Sequence, residues 1–184
     1  MKPEIKVENI VASVNLAERL DLDKINKEQP ENVEYEPEQF PGLVYRLSEP
    51  KTATLLFRSG KANCTGAKSV EDVELAIRRL IKRLEKIGIT VNKNPKIKIQ
   101  NIVSTYDLQT GLNLNDVSEG LGYEYVEYEP EQFPGLVYRL DKPKLVVLLF
   151  GSGKVVCTGA KNVNDIKEGI EIIRGRLRKA KLIK

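Results

Sequence analysis

A thirteen-residue string, YEPEQFPGLVYRL, occurs at Tyr35–Leu47 and again, unchanged, at Tyr128–Leu140. The likeness continues as LLF-x-SGK-x-x-CTGAK, at Leu55–Lys68 and at Leu148–Lys161. The only four phenylalanines in the chain, Phe40, Phe57, Phe133 and Phe150, all fall at matched places in these blocks. A duplication on this scale makes the chain two like halves, 1–92 and 93–184. Whatever the halves bind is then expected to be close to two-fold symmetric. The link between them, Val91 to Pro95, is short and favours one continuous structure over two drifting domains.

A composition 41% apolar and 30% charged is that of a soluble globular protein. No apolar run approaches the roughly 18 residues of a membrane helix. The start, MKPEIKVENIV, lacks the pattern of a signal peptide, so an intracellular protein is expected. Cys64 and Cys157 occupy matched positions and are expected to be reduced and buried. With no histidine and no close cysteine pair, no metal or other cofactor is expected. A net charge of +4 permits a polyanionic partner without demanding one.

Each half reads as strand, short helix, several strands, long helix. Ile5 to Val14 and Ile97 to Thr105 alternate as strands. Leu16 to Lys27 and Leu112 to Leu121 are weaker helical stretches. Strands follow at Leu43 to Leu47, Thr52 to Phe57 and Lys61 to Thr65, with Gly66 ending the last. Ser69 with Asp72 opens a long helix in which Val73, Ile77, Leu80, Leu84 and Ile87 share one stripe before Gly88. Asn162 and Asp165 open its counterpart, with Ile166, Ile170, Ile173 and Leu177.

Two helices per half, each with one apolar stripe, can cover one face of a sheet and not both. A one-sided sheet should alternate apolar and polar residues. Yet Ala53 to Phe57 and Val146 to Phe150 are apolar at nearly every position. If Thr54 and Leu56 face the helices, Ala53, Leu55 and Phe57 lie on an uncovered face, and a broad exposed apolar surface marks a binding site. The same strand parity brings Val44 with Arg46, Val137 with Arg139, Lys61 with Asn63 and Thr65, and Lys154 with Val156 and Thr158. Asn9 and Val11, and Asn101 and Val103, join them from the first strand of each half. An apolar strip with a few amides and hydroxyls, edged by Arg and Lys, suits a nucleic-acid groove.

The doubled YEPEQFPGLVYRL, the SGK-x-x-CTGAK blocks and the IKVENIV/IKIQNIV pair resemble the TATA-binding protein family, in its archaeal form, over essentially the whole chain. The resemblance implies an α+β saddle, one curved ten-stranded antiparallel sheet with four helices on its convex face. It implies a non-enzymatic general transcription initiation factor that binds the TATA box through the DNA minor groove. On that reading Phe40, Phe57, Phe133 and Phe150 wedge into base steps. Asn9, Thr65, Asn101 and Thr158 hydrogen-bond in the groove. Val11, Leu55, Asn63, Val103, Leu148 and Val156 form its floor. Arg46, Ser59, Lys61, Lys68, Arg139, Ser152, Lys154 and Lys161 contact phosphates. The family also implies transcription factor B docking at Glu129 and Glu131, RNA polymerase recruited indirectly, a nucleoid-associated cytoplasmic location and no membrane partner. A weak homodimer off DNA is a further expectation.

Three points stay open at this stage. Asn63 stands where the second half has Val156, and the family has an apolar residue; drift and a one-sided hydrogen bond both explain it. The first turn carries Glu36 and Glu38, matching Glu129 and Glu131, so a partner could dock at either end. The long helices are basic outside, at Arg78, Arg79, Lys82, Arg83 and Lys86 and at Arg174, Arg176, Arg178, Lys179 and Lys181, through ordinary solvation or as a docking surface. The rival function is a single-stranded nucleic-acid platform, which calls for aromatics in mid-strand; these phenylalanines lie beside turns instead. An enzyme lacks evident catalytic groups.

Overall fold

The computed structural model describes residues 3–184. The first repeat supplies β1 (Lys6–Asn15), α1 (Leu22–Glu28), β2 (Val33–Glu34), β3 (Leu43–Ser48), β4 (Lys51–Leu56), β5 (Lys61–Ala67) and α2 (Val70–Lys86). The second supplies β6 (Lys98–Asp107), α3 (Leu114–Leu121), β7 (Val126–Glu127), β8 (Leu136–Asp141), β9 (Lys144–Leu149), β10 (Lys154–Ala160) and α4 (Val163–Lys179). The ten strands form a single antiparallel sheet in the order β2-β3-β4-β5-β1-β6-β10-β9-β8-β7. The chain forms two compact units, Asn9–Gln100 and Asn101–Lys184, the latter including the N-terminal residues up to Glu8.

In the unit Asn9–Gln100, alternation, broken once in β5 between Cys64 and Ala67, sorts the strands into two faces. Ile10, Ala12 and Val14, Leu43, Tyr45 and Leu47, Thr52, Thr54 and Leu56, and Ala62, Cys64 and Ala67 are buried. They meet Val73, Ala76, Ile77, Leu80, Ile81 and Leu84 of α2. Fully burying each Leu or Ile contributes about 2 kcal/mol. Tyr45, wholly buried, donates to Gln29 Oε1 at 2.7 Å, and Gln29 Nε2 donates to the Arg83 carbonyl at 3.1 Å, tying β3 to both helices. Burial raises the Tyr45 phenol above its ordinary pKa. In the other unit the matched Tyr138 is bonded directly by Arg176 of α4, whose guanidinium lies 5.5 Å from its ring centre.

Matched core positions do not carry matched side chains. Thr52 of β4 corresponds to Leu145 of β9, and Ala76 of α2 to Gly169 of α4. A Cβ on Gly169 would lie 2.4 Å from Leu145 Cδ1. The larger strand residue therefore goes with the smaller helix residue in one unit, and the reverse pairing occupies the other.

Helix limits follow local chemistry. Ser69 Oγ accepts from Asp72 N at 3.0 Å, and Asn162 Oδ1 from Asp165 N at 2.8 Å, capping α2 and α4 as the sequence anticipates. At the end of α2, Ile89 N bonds the Leu84 carbonyl and Gly88 N the Glu85 carbonyl, with Gly88 at φ 79°. This is a Schellman close, and it leaves Ile87 at the cap position, outside the helix. The end of α4 repeats it, except that Lys181 holds the left-handed position at φ 59°.

The first short helix begins later than the sequence suggests, at Leu22 rather than Leu16. Leu16 N and Leu20 N are bonded to the carbonyls of Gly60 and Arg58 in the β4–β5 turn, and Asp21 caps the helix at Lys24 N. Gly60 has φ 85°, and a Cβ there would lie 1.7 Å from the Ala17 carbonyl oxygen, so this close approach demands glycine. Likewise α3 starts at Leu114, capped by Asn113. The strand β5 runs through Gly66 to Ala67 instead of ending there.

Cys64 and Cys157 are free and buried, and burial pushes the Cys157 thiol up to about 11. No helix among the described residues is long and apolar enough to cross a membrane.

Two positions are locally unfavourable and testable. Ser104 Oγ is buried without a hydrogen-bond partner, whereas its counterpart in β1 is Ala12. Ser104→Ala is expected to raise unfolding free energy by about 1 kcal/mol. Lys181→Gly, which removes a side chain from the left-handed region, is expected to do the same by about 1 kcal/mol. Urea titration checks both, and a lowered midpoint for either variant would contradict its assignment.

Candidate nucleic-acid interface

The residues of opposite parity form the face away from the helices. In Asn9–Gln100, strand register lines up Val44, Leu55, Asn63 and Ser13 across β3, β4, β5 and β1. A parallel row sets Arg46 beside Ala53 and Thr65. Val11, Val44, Ala53, Leu55 and Phe57 are half-buried with no helix over them. The other unit repeats this arrangement with Val137, Leu148, Val156 and Thr105, then Arg139, Val146 and Thr158. The uncovered apolar face read from the sequence is present in each unit.

A bulge sets the polar groups on this face. Between Ile10 and Ala12, β1 advances two residues while β5 advances three, from Ala67 to Cys64. Gly66 takes up the excess at φ 98°, and Gly159 does so at φ 95° in β10. The bulge turns Thr65 and the Gly66 N–H toward Asn9. Gly66 N donates to Asn9 Oδ1 at 2.7 Å, and Asn9 Nδ2 donates to Thr65 Oγ1 at 3.1 Å. Gly159 N donates to Asn101 Oδ1 at 2.6 Å, and Asn101 Nδ2 to Thr158 Oγ1 at 3.1 Å. A backbone N–H can only donate, so each amide must present oxygen to the glycine. The NH2 group then keeps its second hydrogen for an outside acceptor.

The phenylalanines pair edge to face beside turns. Phe40 and Phe57 have ring centres 6.1 Å apart at 71°, and Phe133 and Phe150 5.9 Å apart at 70°. Phe40 and Phe133 are 44% and 41% exposed, among the most exposed large apolar groups present, so they are not core residues. The backbone holds them: Phe40 N bonds the Glu36 carbonyl, and Phe57 N the Lys61 carbonyl. Gly42 and Gly135 give the rings room. A Cβ on Gly42 would stand 2.7 Å from Phe40 and 3.1 Å from Phe57; on Gly135, 2.8 Å from Phe133 and 2.9 Å from Phe150.

Charged side chains edge each face. Ser59 and Lys61, and Ser152 and Lys154, are exposed at the β4–β5 and β9–β10 turns. Arg46 stands 3.4 Å from Glu34, and Arg139 3.7 Å from Glu127, on the short strands β2 and β7. Sequence reading missed these carboxylates, because a two-residue strand carries no periodicity. Such exposed pairs contribute about 0–1 kcal/mol, so a stronger anion can take the arginine. Lys68 and Lys161 follow the bulges and are exposed, but Lys68 lines a hollow with Lys51 and with Arg79 of α2, outside the two rows. Glu36, Glu38, Glu129 and Glu131 are all exposed in their turns.

A family model described as transcription factor TFIID, or TATA-binding protein, matches residues 4–87 and again 96–180. The TATA-box-binding protein of Picrophilus torridus is 60% identical across 98% of this chain and 97% of its own length. That of Archaeoglobus fulgidus is 55% identical across 95% of each. Among solved structures, one titled Methanococcus jannaschii TBP superposes with a TM-score of 0.87 at 56% identity, covering 96% of this chain and 99% of that one.

With four phenylalanines in all, 4-fluorophenylalanine labelling should give four fluorine resonances. Gly42→Ala is expected to move two of them and Gly135→Ala the other two. A spectrum unchanged by either substitution would mean that the rings do not rest on these glycines.

Proposed function

The chain belongs to the TATA-binding protein family, and from its open apolar faces we propose that it is a transcription initiation factor that binds the TATA element through the minor groove. The observation that carries this reading is the orientation of Asn9 and Asn101, whose amides present hydrogen outward from an apolar floor. In the minor groove, A·T and T·A pairs offer only acceptors, whereas G·C adds an amino donor. A floor of Val11, Leu55, Val103, Leu148 and Val156 with few donors therefore favours A·T-rich sequence and tolerates reversal of single pairs. Asn63, Thr65 and Thr158 complete the groove contacts.

Each half meets one half of the element. Phe40 with Phe57, and Phe133 with Phe150, enter base steps; unstacking costs a few kcal/mol per step and is cheapest at pyrimidine–purine steps such as TA. Sequence is thus read partly as deformability. Arg46, Ser59, Lys61 and Lys68, and Arg139, Ser152, Lys154 and Lys161, take the phosphates. Glu129 and Glu131 form the dock for transcription factor B, which in turn brings RNA polymerase, and the apolar faces support a weak homodimer when DNA is absent. No step here is enzymatic.

Gel shifts on a duplex TATA element and on its separated strands test the reading, with duplex preferred. Six basic phosphate contacts predict that log K falls with log salt at a slope of about −5. Phe57→Ala with Phe150→Ala is expected to lower duplex affinity about tenfold or more while the fold persists. Preference for single strands, or affinity nearly independent of salt, would contradict the proposal.

A further inference from the structure

We infer that Asn63 makes the amino-terminal half the one that accepts a G·C pair, so that the free chain lies in one direction on a TATA element containing such a pair. This rests on the minor-groove reading above. The rows Val44-Leu55-Asn63-Ser13 and Val137-Leu148-Val156-Thr105 are matched strand for strand and differ most sharply at Asn63 and Val156. Asn63 is exposed, and its side chain makes no hydrogen bond among the described residues. It lines a cavity of about 570 Å³ together with Ser13, Asn15, Lys61, Lys96 and Lys98.

The chemistry of the groove decides what such an amide does. Over Val156, the amino group of guanine would lose water and find no acceptor, which is costly. Over Asn63, that amino group donates to Oδ1. With an A·T pair, the same side chain turns its NH2 toward the adenine or thymine acceptor instead. Beside Val156, Glu8 Oε1 accepts from Thr105 Oγ1 at 3.0 Å and stands 3.6 Å from Lys6 Nζ.

The two halves also differ in charge beside this position. The repeat matches Lys96, Lys98 and Gln100 to Glu4, Lys6 and Glu8, and Asn15 to Asp107. The cavity beside Asn63 is walled by three lysines and no carboxylate, while the matched positions of the other half carry two lysines, Lys6 and Lys154, and two carboxylates, Glu4 and Asp107. Phosphates are thus held better in the amino-terminal half whichever base pair they flank, and their hold does not depend on Asn63.

The test uses the full chain with Glu38→Cys in the first turn, tagged with iron-EDTA; Cys64 and Cys157 are buried and stay unlabelled. On a palindromic A·T-only element, cleavage should divide equally between the two ends. One G·C pair placed in one half should move cleavage to that half by about tenfold, the usual scale for one base pair in a site. Asn63→Val should abolish the bias, and adding Val156→Asn should reverse it. If the unmodified chain fails to hold the A·T-only duplex, both readings fall. If it holds that duplex but cleavage stays equally divided on the G·C-containing one, or if Asn63→Val keeps the bias, this inference alone falls.

Discussion

Five strands and two helices per repeat leave one face of each half-sheet without a cover, and most other features follow from that shortage. A strand with both faces packed could be apolar throughout at no cost. Here Leu55, Phe57, Leu148 and Phe150 are apolar and half-buried, with no helix above them. The apolar area they hold in contact with water is favourable only if a partner removes it. The amides of Asn9 and Asn101 sit within this surface, and each is held by a glycine N–H that the bulge turns outward. Exposure, orientation and shape are thus settled by backbone geometry before any ligand arrives.

Much of this was legible in the sequence, for identifiable reasons. Period-two alternation gave the strands and their faces, and Ser69, Asn162 and Gly88 marked the long helices at or beside their true ends. What escaped was whatever depends on a distant backbone partner. Leu16 to Leu20 carries a helical pattern, yet the N–H groups of Leu16 and Leu20 are taken by the turn at Arg58 to Gly60. The run CTGA looks like a strand ending, because the bulge at Gly66 exists only against β1. The edge strands Val33–Glu34 and Val126–Glu127 are too short to show a period, and so their carboxylates beside Arg46 and Arg139 went unseen.

Divergence between the repeats is concentrated where it can be tolerated. The Phe pairs, the Asn–Thr–Gly clusters and the turn glycines are the same in both units, with ring separations of 6.1 and 5.9 Å. The tie from the buried tyrosine to its helix differs, through Gln29 in one unit and directly from Arg176 in the other. Ser104 against Ala12 shows a change in a core position that leaves a hydroxyl unpaired. Symmetry is close on the open faces, where Asn63 against Val156 and Ala53 against Val146 are departures along the two rows, and looser behind them.

The size exchange between Thr52 with Ala76 and Leu145 with Gly169 bears on how such a chain assembles. The strands β3 and β8 share the run LVYRL, so either presents nearly the same edge to β4 or β9. The layer behind the sheet distinguishes the two hairpins more strongly. A hairpin carrying Leu145 that docked on α2 would drive its methyl groups into Ala76, where Gly169 would have left a hollow. The outward face of a copied gene's product can thus stay duplicated while complementary sizes within suit each hairpin to its own helix.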